Sequence, residues 1–403
     1  MLILKTDGRQ IDMKQRFTLG LIGLMAVTGT TAFLLNNEST EDPAKKEAIY
    51  QARTSVAHKG YDEAHGAAEW MRSLRANAET GEVDQRDVLR AQQQVQQKRM
   101  SMKTSALGLQ WQQMGPDNIG GRTRSIYIDP DNPSFMLAGS VSGGIYRSTT
   151  GGSSWQLVQG DLPNNSITYI TKTVNGDYYV GTGEGMHIST DGSGGGGILG
   201  GGVYKSTDGG NTFNLLPATI PTPNSTNSAW ADISFVIADP AIADRVYAAT
   251  NVGVFRTDDG GQTWVNPVEN SPDVSLGEVN SGITDMTVAT DGSVWVKSRN
   301  HFLYSPNGDN ASFQQMSGSD LPVNNNRARI AVAPSNPNFV YVVNITSAGT
   351  LGAVYRSTDR GASWQFMIQG SSSWNPMNNQ GDYDLLLTVD PKNENRLLMG
   401  GVD

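Results

Sequence analysis

Three carboxylates in the long, non-repeating segments of this chain could act as a general acid and a general base. They are Glu184, Asp232 and Asp382. Hydrolysis of a glycosidic bond needs two such groups, one on each side of the bond that is cleaved. None of the three lies in a catalytic signature, and a salt bridge or turn contact is the simpler role for Glu184. The catalytic residues therefore stay open, with these three as candidates.

Basic and aromatic side chains accompany the carboxylates in the same segments. Guanidinium groups bind anionic ligands in a fixed fork, and aromatic rings pack on sugars or peptides. Such a mixture predicts a binding surface, although a solvated loop surface has a similar composition. The candidate ligand-binding residues are Arg122, Glu184, Trp230, Arg299, Arg327 and Tyr383, with His187, His301 and Trp374 on the same loops.

Composition excludes several other chemistries. The chain has 403 residues and no cysteine, so disulfides, thiolate metal sites and a cysteine nucleophile are absent. Its four histidines form no His-Glu-x-x-His motif, and residues 194–197 are a glycine run without the Lys-Ser/Thr of a phosphate-binding loop. We expect neither a metal nor a cofactor. The formal net charge of -9 argues against a nucleic-acid partner.

The amino-terminal residues have the composition of a secretory signal. Met13 to Arg16 are followed by an apolar run over residues 17–32 that ends in small residues. We therefore predict a signal peptide within residues 1–35, with translation starting at Met13 as an alternative, and no other stable membrane span. Residues 36–105 are rich in Ala, Gln, Glu and Arg at helical spacing, which predicts a helical leader folded as a hairpin.

One eight-residue pattern recurs along the remainder of the chain. Its clearest copy, Ser-Thr-Asp-Gly-Gly-Asn-Thr-Phe, occupies residues 206–213; others occupy 148–155, 257–264 and 357–364, with a degenerate copy at 305–313. We call these five segments the repeat turns. Their hydroxyl and carboxylate side chains can accept amide hydrogen bonds, and glycine permits positive φ. The residues expected to have this structural role are Ser148, Trp155, Ser206, Asp208, Phe213, Asp259, Trp264, Ser357, Asp359 and Trp364.

Short apolar strands flank every repeat turn, and a second turn recurs upstream of each one as Asp-Pro, Asn-Gly or a related pair. Four antiparallel strands in about fifty residues predict one blade of a β-propeller. We therefore predict an all-β fold in which a propeller spans residues 106–403, after a short helical hairpin. Five blades and half of a sixth are present, which indicates that the chain is part of a longer protein.

The strand order places the repeat turns and the long loops on opposite faces of the propeller. Because a catalytic acid is needed only once, the repeated Asp208, Asp259 and Asp359 are expected to be structural. The candidate site belongs on the other face, where the unequal loops gather.

The repeat turns resemble the Asp-box, or bacterial neuraminidase, repeat. With Gly120-Gly121-Arg122 and Gly143-Gly144, the chain is similar to secreted propellers related to sortilin ectodomains and to xyloglucanase-type glycoside hydrolases. A sialidase relationship would imply an arginine triad, for which Arg122, Arg299 and Arg327 are the candidates. The Phe/Tyr-Arg-Ile-Pro motif typical of sialidases is absent.

These features favour an exported propeller that acts as a binding or adhesion scaffold at the cell surface or outside the cell, with a glycan or an extracellular protein or peptide as partner. The resemblance also implies type IX secretion as the export route. Two alternatives stay open: a glycoside hydrolase of xyloglucanase or sialidase type, and a sortilin-like peptide receptor. Whether the chain is an enzyme is undecided by its sequence.

Overall fold

Alternating β-branched and aromatic residues form the strands of the described chain. The computed structural model describes residues 121–158, 162, 166–183, 200–222, 228–271, 274, 282–298, 301–316, 321 and 327–401, with scattered positions between 70 and 98. Spatial contacts divide the chain into residues 1–60 and 61–403, and every described residue belongs to the second unit.

In the described part of the chain, six antiparallel sheets follow one another, and the strands of each sheet neighbour one another in sequence order. Sheets 1 to 3 contain β1 Thr123–Ile128, β2 Met136–Ser140, β3 Gly144–Ser148 and β4 Gln156–Leu157; β5 Ile167–Lys172, β6 Tyr178–Thr182, β7 Val203–Ser206 and β8 Asn214–Leu215; and β9 Ile233–Ala238, β10 Val246–Thr250 and β11 Gly253–Thr257. Sheets 4 to 6 contain β12 Ile283–Val288, β13 Val294–Ser298, β14 Phe302–Ser305 and β15 Gln314–Gln315; β16 Ala328–Val332, β17 Val340–Ile345, β18 Leu351–Ser357 and β19 Gln365–Gln369; and β20 Leu386–Asp390 and β21 Asn393–Gly400.

The predicted strand order is the observed one, with two differences in strand number. Sheets 1, 2, 4 and 5 have four strands, and each repeat turn joins the third strand to the fourth. In sheet 3 the fourth strand shrinks to one bridge between Arg256 and Val265, and sheet 6 contains β20 and β21 only. Among the described residues of the connections, short helices lie at Pro217–Thr219 and Ala229–Ala231, both 3-10 turns, and at Gly381–Asp384, which we call α1.

Consecutive sheets pack face to face through their first strands. β1 contacts β5, β5 contacts β9, β9 contacts β12, β12 contacts β16, and β16 contacts β20. Buried apolar side chains fill the space between neighbouring sheets. Leu137 of sheet 1, for example, shares a cluster with Ile170 and Phe213 of sheet 2. Burial of apolar area between sheets is the main stabilising term of such an arrangement.

The helical hairpin predicted within residues 36–105 is not seen as a packed pair of helices among the described residues. Helical positions occur at Trp70, Ser73 and Leu74 and again between 87 and 98, on either side of a turn in which Gly81 N donates to Asn77 O at 2.8 Å. The predicted signal peptide, residues 1–35, and the start of the predicted propeller, residues 106–120, lie outside the described residues.

Candidate functional site

The repeat turns use their carboxylates internally. Ser206 Oγ and Thr212 Oγ1 donate to Asp208 at 2.7 and 2.6 Å, and Gly210 N donates to Ser206 Oγ at 2.9 Å. Although burial opposes it, hydrogen bonding from Thr212 and Ser206 lowers the pKa of Asp208 to about 2. A carboxylate held ionised in this way is a turn-forming group and a poor general acid.

The same bonds recur in the two other turns that have Asp at the position of Asp208. Thr263 Oγ1 donates to Asp259 at 2.6 Å, and Ser363 Oγ donates to Asp359 at 2.5 Å. Where sheet 1 has Thr150 in place of Asp, its hydroxyl accepts from Ser154 N at 2.9 Å and closes the turn without a charge. In the turns of sheets 1, 2, 3 and 5, the side chain at the Asp208 position thus bonds within its own turn, and the structural role of these residues stays a prediction.

The face opposite the repeat turns contains the start of each first strand and the end of each second strand. We call it the loop face. β-bulges occur beside it. In the first four sheets one extra residue interrupts the pairing of strands one and two, one position after the first strand begins. A bulge re-aims the side chains beside it. The extra residues are Arg124, Thr168, Ser234 and Thr284.

Side chains at equivalent positions in the first strands of sheets 2 to 5 contact one another in a row that ends at Arg329. Arg329 Nη1 of sheet 5 lies 2.6 Å from Asp285 Oδ1 of sheet 4, and Arg329 Nε donates to Leu385 O before sheet 6 at 3.0 Å. The guanidinium carbon of Arg329 also lies 5.1 Å from the ring centroid of Phe235 in sheet 3. Tyr169 of sheet 2 then packs on Phe235, with ring centroids 5.5 Å apart.

Arg327 directly precedes the same strand and lies nearer the loop face. Its side chain is buried, at 7% exposure, and Nη1 donates to Asp382 O at 2.6 Å. Burial, with repulsion from Arg329 and Arg124, lowers the pKa of Arg327 to about 9. Arg329 and Arg124 are thus close enough to repel the charge of Arg327, while the carboxylates of Asp285 and Asp382 act on it in the opposite direction.

Of the predicted ligand-binding residues, Arg327 is brought next to Asp382, through the main-chain carbonyl of Asp382. Asp382 and Tyr383 lie in α1, and Arg122 is exposed just before β1, where its carbonyl accepts from Val141 N at 3.1 Å. Glu184, His187 and Arg299 lie outside the described residues.

Trp230 and Asp232 lie together at the start of sheet 3. The Trp230 ring packs between Phe255 and Trp264, with both centroid distances at 5.1 Å, so packing accounts for this residue without a ligand. Asp232 is half-buried, and its carbonyl accepts from Asn251 N at 3.2 Å.

Arg329, Asp285 and Arg124 are not among the residues predicted from the sequence, because those predictions were confined to the loops and these three residues lie in strands. A signal was present: charged residues interrupt first strands that are otherwise apolar, and Arg-x-Arg occurs at both 122–124 and 327–329. A charge within a buried strand points to a paired or functional group.

Among the described residues, no group of three or more His, Asp or Glu side chains could hold a metal ion. Within the same part of the chain, no helix has the length and apolar character to cross a membrane.

No protein-family model matches the chain, and no curated protein matches it in sequence. Several solved structures are similar in fold. An ancestral GH74 enzyme is 23% identical with a TM-score of 0.51 over 70% of this chain. The GH74 xyloglucanase of Xanthomonas campestris is 15% identical, with a TM-score of 0.49 over 69% of this chain and 43% of its own.

PorZ, a surface component of the type-IX secretion system of Porphyromonas gingivalis, is 14% identical, with a TM-score of 0.45 over 68% of this chain and 37% of its own. The chain spans about a third of the length of the ancestral GH74 enzyme, 35%. The likeness to that enzyme and the six consecutive antiparallel sheets give the described chain a β-propeller fold.

Proposed function

We propose that this chain belongs to the Asp-box propellers and acts as an exported binding scaffold at the cell surface or outside the cell. The hydroxyl-to-carboxylate bonds of its repeat turns support the Asp-box assignment. The signal-like residues 13–32 support export, which sequencing the amino terminus of the mature protein would test. Type IX secretion is the proposed route.

The group of arginines on the loop face, Arg124, Arg327 and Arg329, supports binding as the activity. Arg327 is held at the start of its strand by the Asp382 carbonyl, so its guanidinium is already ordered before a ligand arrives. Preorganised charged groups bind with less loss of side-chain entropy. The ligand that suits this site is a glycan or an extracellular peptide that carries an anionic group.

Two arginines on opposite faces allow a matched test of the site. Arg327→Gln removes the charge on the loop face, and Arg360→Gln removes one on the turn face, where Arg360 Nη2 lies 2.9 Å from Asp291. We expect Arg327→Gln to weaken binding to an array of acidic glycans and peptides about tenfold or more, with Arg360→Gln close to wild type. Equal effects of the two variants, in proteins that melt normally, would contradict the loop-face site.

Glycoside hydrolysis is the rival function. Asp232 and Asp382 would be the acid and base, with Glu184 as a third candidate, and the similarity to GH74 structures bears on the fold alone. Turnover of xyloglucan or sialosides that is lost in Asp232→Asn or Asp382→Asn would replace the scaffold proposal. Binding without turnover would favour it. A sortilin-like receptor is the third proposal and would instead bind peptides selectively over glycans.

A further inference from the structure

Two arginines of sheet 5 hold the short helix α1 at its carboxyl end. Arg327 Nη1 donates to the carbonyl of Asp382 at 2.6 Å, and Arg329 Nε donates to the carbonyl of Leu385 at 3.0 Å. The last carbonyls of a helix have no partner within the helix, so guanidinium donors suit them. The position of α1 and the position of the Arg327 guanidinium therefore depend on each other.

The start of α1 rests on the turn that joins β17 to β18. Gly381 N donates to Gly349 O at 2.8 Å, and Gly349 N donates to Thr346 O within the turn at 3.0 Å. Main chain contacts main chain here, and we call this contact the α1 seat; it consists of Gly349, Asn379 and Gly381. Both ends of α1 are thus held by sheet 5.

The α1 seat has no room for a side chain. Gly349 has a φ of 73°, and a Cβ atom there would lie 2.5 Å from Asn379 O. A Cβ atom at Gly381 would lie 2.7 Å from Gly349 O and 2.6 Å from the Ile345 side chain. Because main-chain atoms cannot turn aside as a side chain can, an alanine at Gly349 must displace the segment that leads into α1.

The main chain that enters α1 is strained where it meets the seat. Asn378 and Asn379 have φ values of 40° and 62°, in the left-handed region. Such strain persists only where the surroundings fix the conformation. Met377 before α1 and Leu385 after it are buried in one apolar cluster with Ile345, so the segment is anchored on both sides of the helix.

We propose that Gly349 is a positioning residue for the loop-face site and acts through α1 on Arg327. The seat fixes where α1 begins, α1 fixes the Asp382 carbonyl, and this carbonyl orients the buried Arg327 guanidinium. No contact between Gly349 and a ligand is needed. This role rests on the proposed function, in which Arg327 binds the anionic group of the ligand.

Chemical modification follows the Arg327 guanidinium without any ligand. Phenylglyoxal reacts with accessible guanidinium groups, and peptide mass spectrometry of the treated full chain gives the rate at each arginine. Gly349→Ala should raise the rate at Arg327 about tenfold or more, because the Asp382 carbonyl no longer holds it. The rate at the exposed Arg360 on the turn face should not change.

Gly292→Ala is the matched control for Gly349→Ala. Gly292 also has a positive φ, 83°, but a Cβ atom there would have no neighbour within 4 Å. The control therefore introduces backbone strain without displacing α1, and its rates at Arg327 and Arg360 should be those of the wild type.

Binding separates this role from the proposed function. Oligogalacturonate and a polyglutamate peptide are suitable probes, since every unit of each carries a carboxylate. Gly349→Ala should bind them about tenfold more weakly than the wild type, and Gly292→Ala should not. A wild type that binds neither probe would overturn the proposed function, whereas a wild-type modification rate at Arg327 in Gly349→Ala would overturn the role of Gly349.

A second pair of variants changes the seat without adding a side chain at Gly349. Asn379→Val disfavours a positive φ and should make Arg327 reactive, whereas Asn379→Gly permits it and should react like the wild type. If thermal melting shows that Gly349→Ala is unfolded, this pair decides instead. Equal modification rates at Arg327 in the two Asn379 variants would then overturn the proposal.

Discussion

Arg329 Nη1 lies 2.6 Å from Asp285 Oδ1, and the second carboxylate oxygen of Asp285 accepts from Ile330 N at 2.6 Å. The pair joins sheets 4 and 5, and Arg329 reaches onward to Leu385 O and to the ring of Phe235. The ion pair therefore connects sheets that precede Arg329 in the sequence, through Asp285 and Phe235, with Leu385, which follows it and directly precedes sheet 6.

Breaking this pair should be costly. Asp285→Asn leaves the Arg329 charge buried without its carboxylate, and we expect a loss of about 3 to 5 kcal/mol in the free energy of unfolding. Chemical denaturation measures it. The double variant Asp285→Leu/Arg329→Met should recover most of the loss, since a buried apolar pair needs no compensation. The exposed pair of Arg396 and Asp390 is the control, and Asp390→Asn should cost less than about 1 kcal/mol.

The repeat-turn carboxylates should stabilise the folded protein at pH values above their ordinary pKa, and this stabilisation should be lost in acid. The pKa of Asp208 and Asp259 is lowered to about 2, from 3.8. The unfolded chain therefore binds protons first as the pH falls, and the stabilisation declines between about pH 4 and pH 2. The double variant Asp208→Asn/Asp259→Asn should show a flatter fall in melting temperature over this range. An unchanged acid profile would contradict the role given to these carboxylates.

Lys297 should make the protein less stable as the pH falls from alkaline values. The side chain is fully buried beside the Phe302 ring, and burial lowers its pKa from 10.5 to about 7. Between about pH 10 and pH 7, Lys297 takes up a proton in the unfolded chain but not in the folded chain, so the free energy of unfolding falls as the pH falls. Below about pH 7 both states carry the proton, and the destabilisation stays constant.

Lys297→Met should therefore stabilise the protein at pH 7, on the order of 2 kcal/mol, and should remove about one proton from the pH dependence of unfolding. Urea unfolding at pH 7 and pH 9 provides both values. A variant that keeps the wild-type slope between these two pH values would show that Lys297 titrates normally in the folded chain.

Two glycines in turns distinguish the cost of backbone strain from the cost of steric overlap between neighbouring sheets. Gly308 of sheet 4 and Gly292 have φ values of 67° and 83°, but of these two only Gly308 lies against another side chain, the hydroxyl of Tyr247 in sheet 3. Gly292→Ala should cost about 1 kcal/mol from strain alone. Gly308→Ala should cost several kcal/mol because sheets 3 and 4 must also move apart at this contact. Thermal melting compares the two variants, and similar losses would show that this contact accommodates a methyl group.

The sequence by itself determined the sheets, their order and the position of the repeat turns. These features depend on neighbours along the chain: alternating apolar residues pair as hairpins, and a hydroxyl, a carboxylate and a glycine within a few residues close each turn. Repetition alone predicted a structural role for Asp208, whose carboxylate accepts hydrogen bonds from Ser206 and Thr212.

Only the tertiary structure decided which distant residues meet. Arg329 and Asp285 are 44 residues apart, and Arg327 binds a carbonyl 55 residues further on, because the packing of successive sheets sets these distances. Trp230 looked like a ligand-binding residue by type, but its surroundings are Phe255 and Trp264.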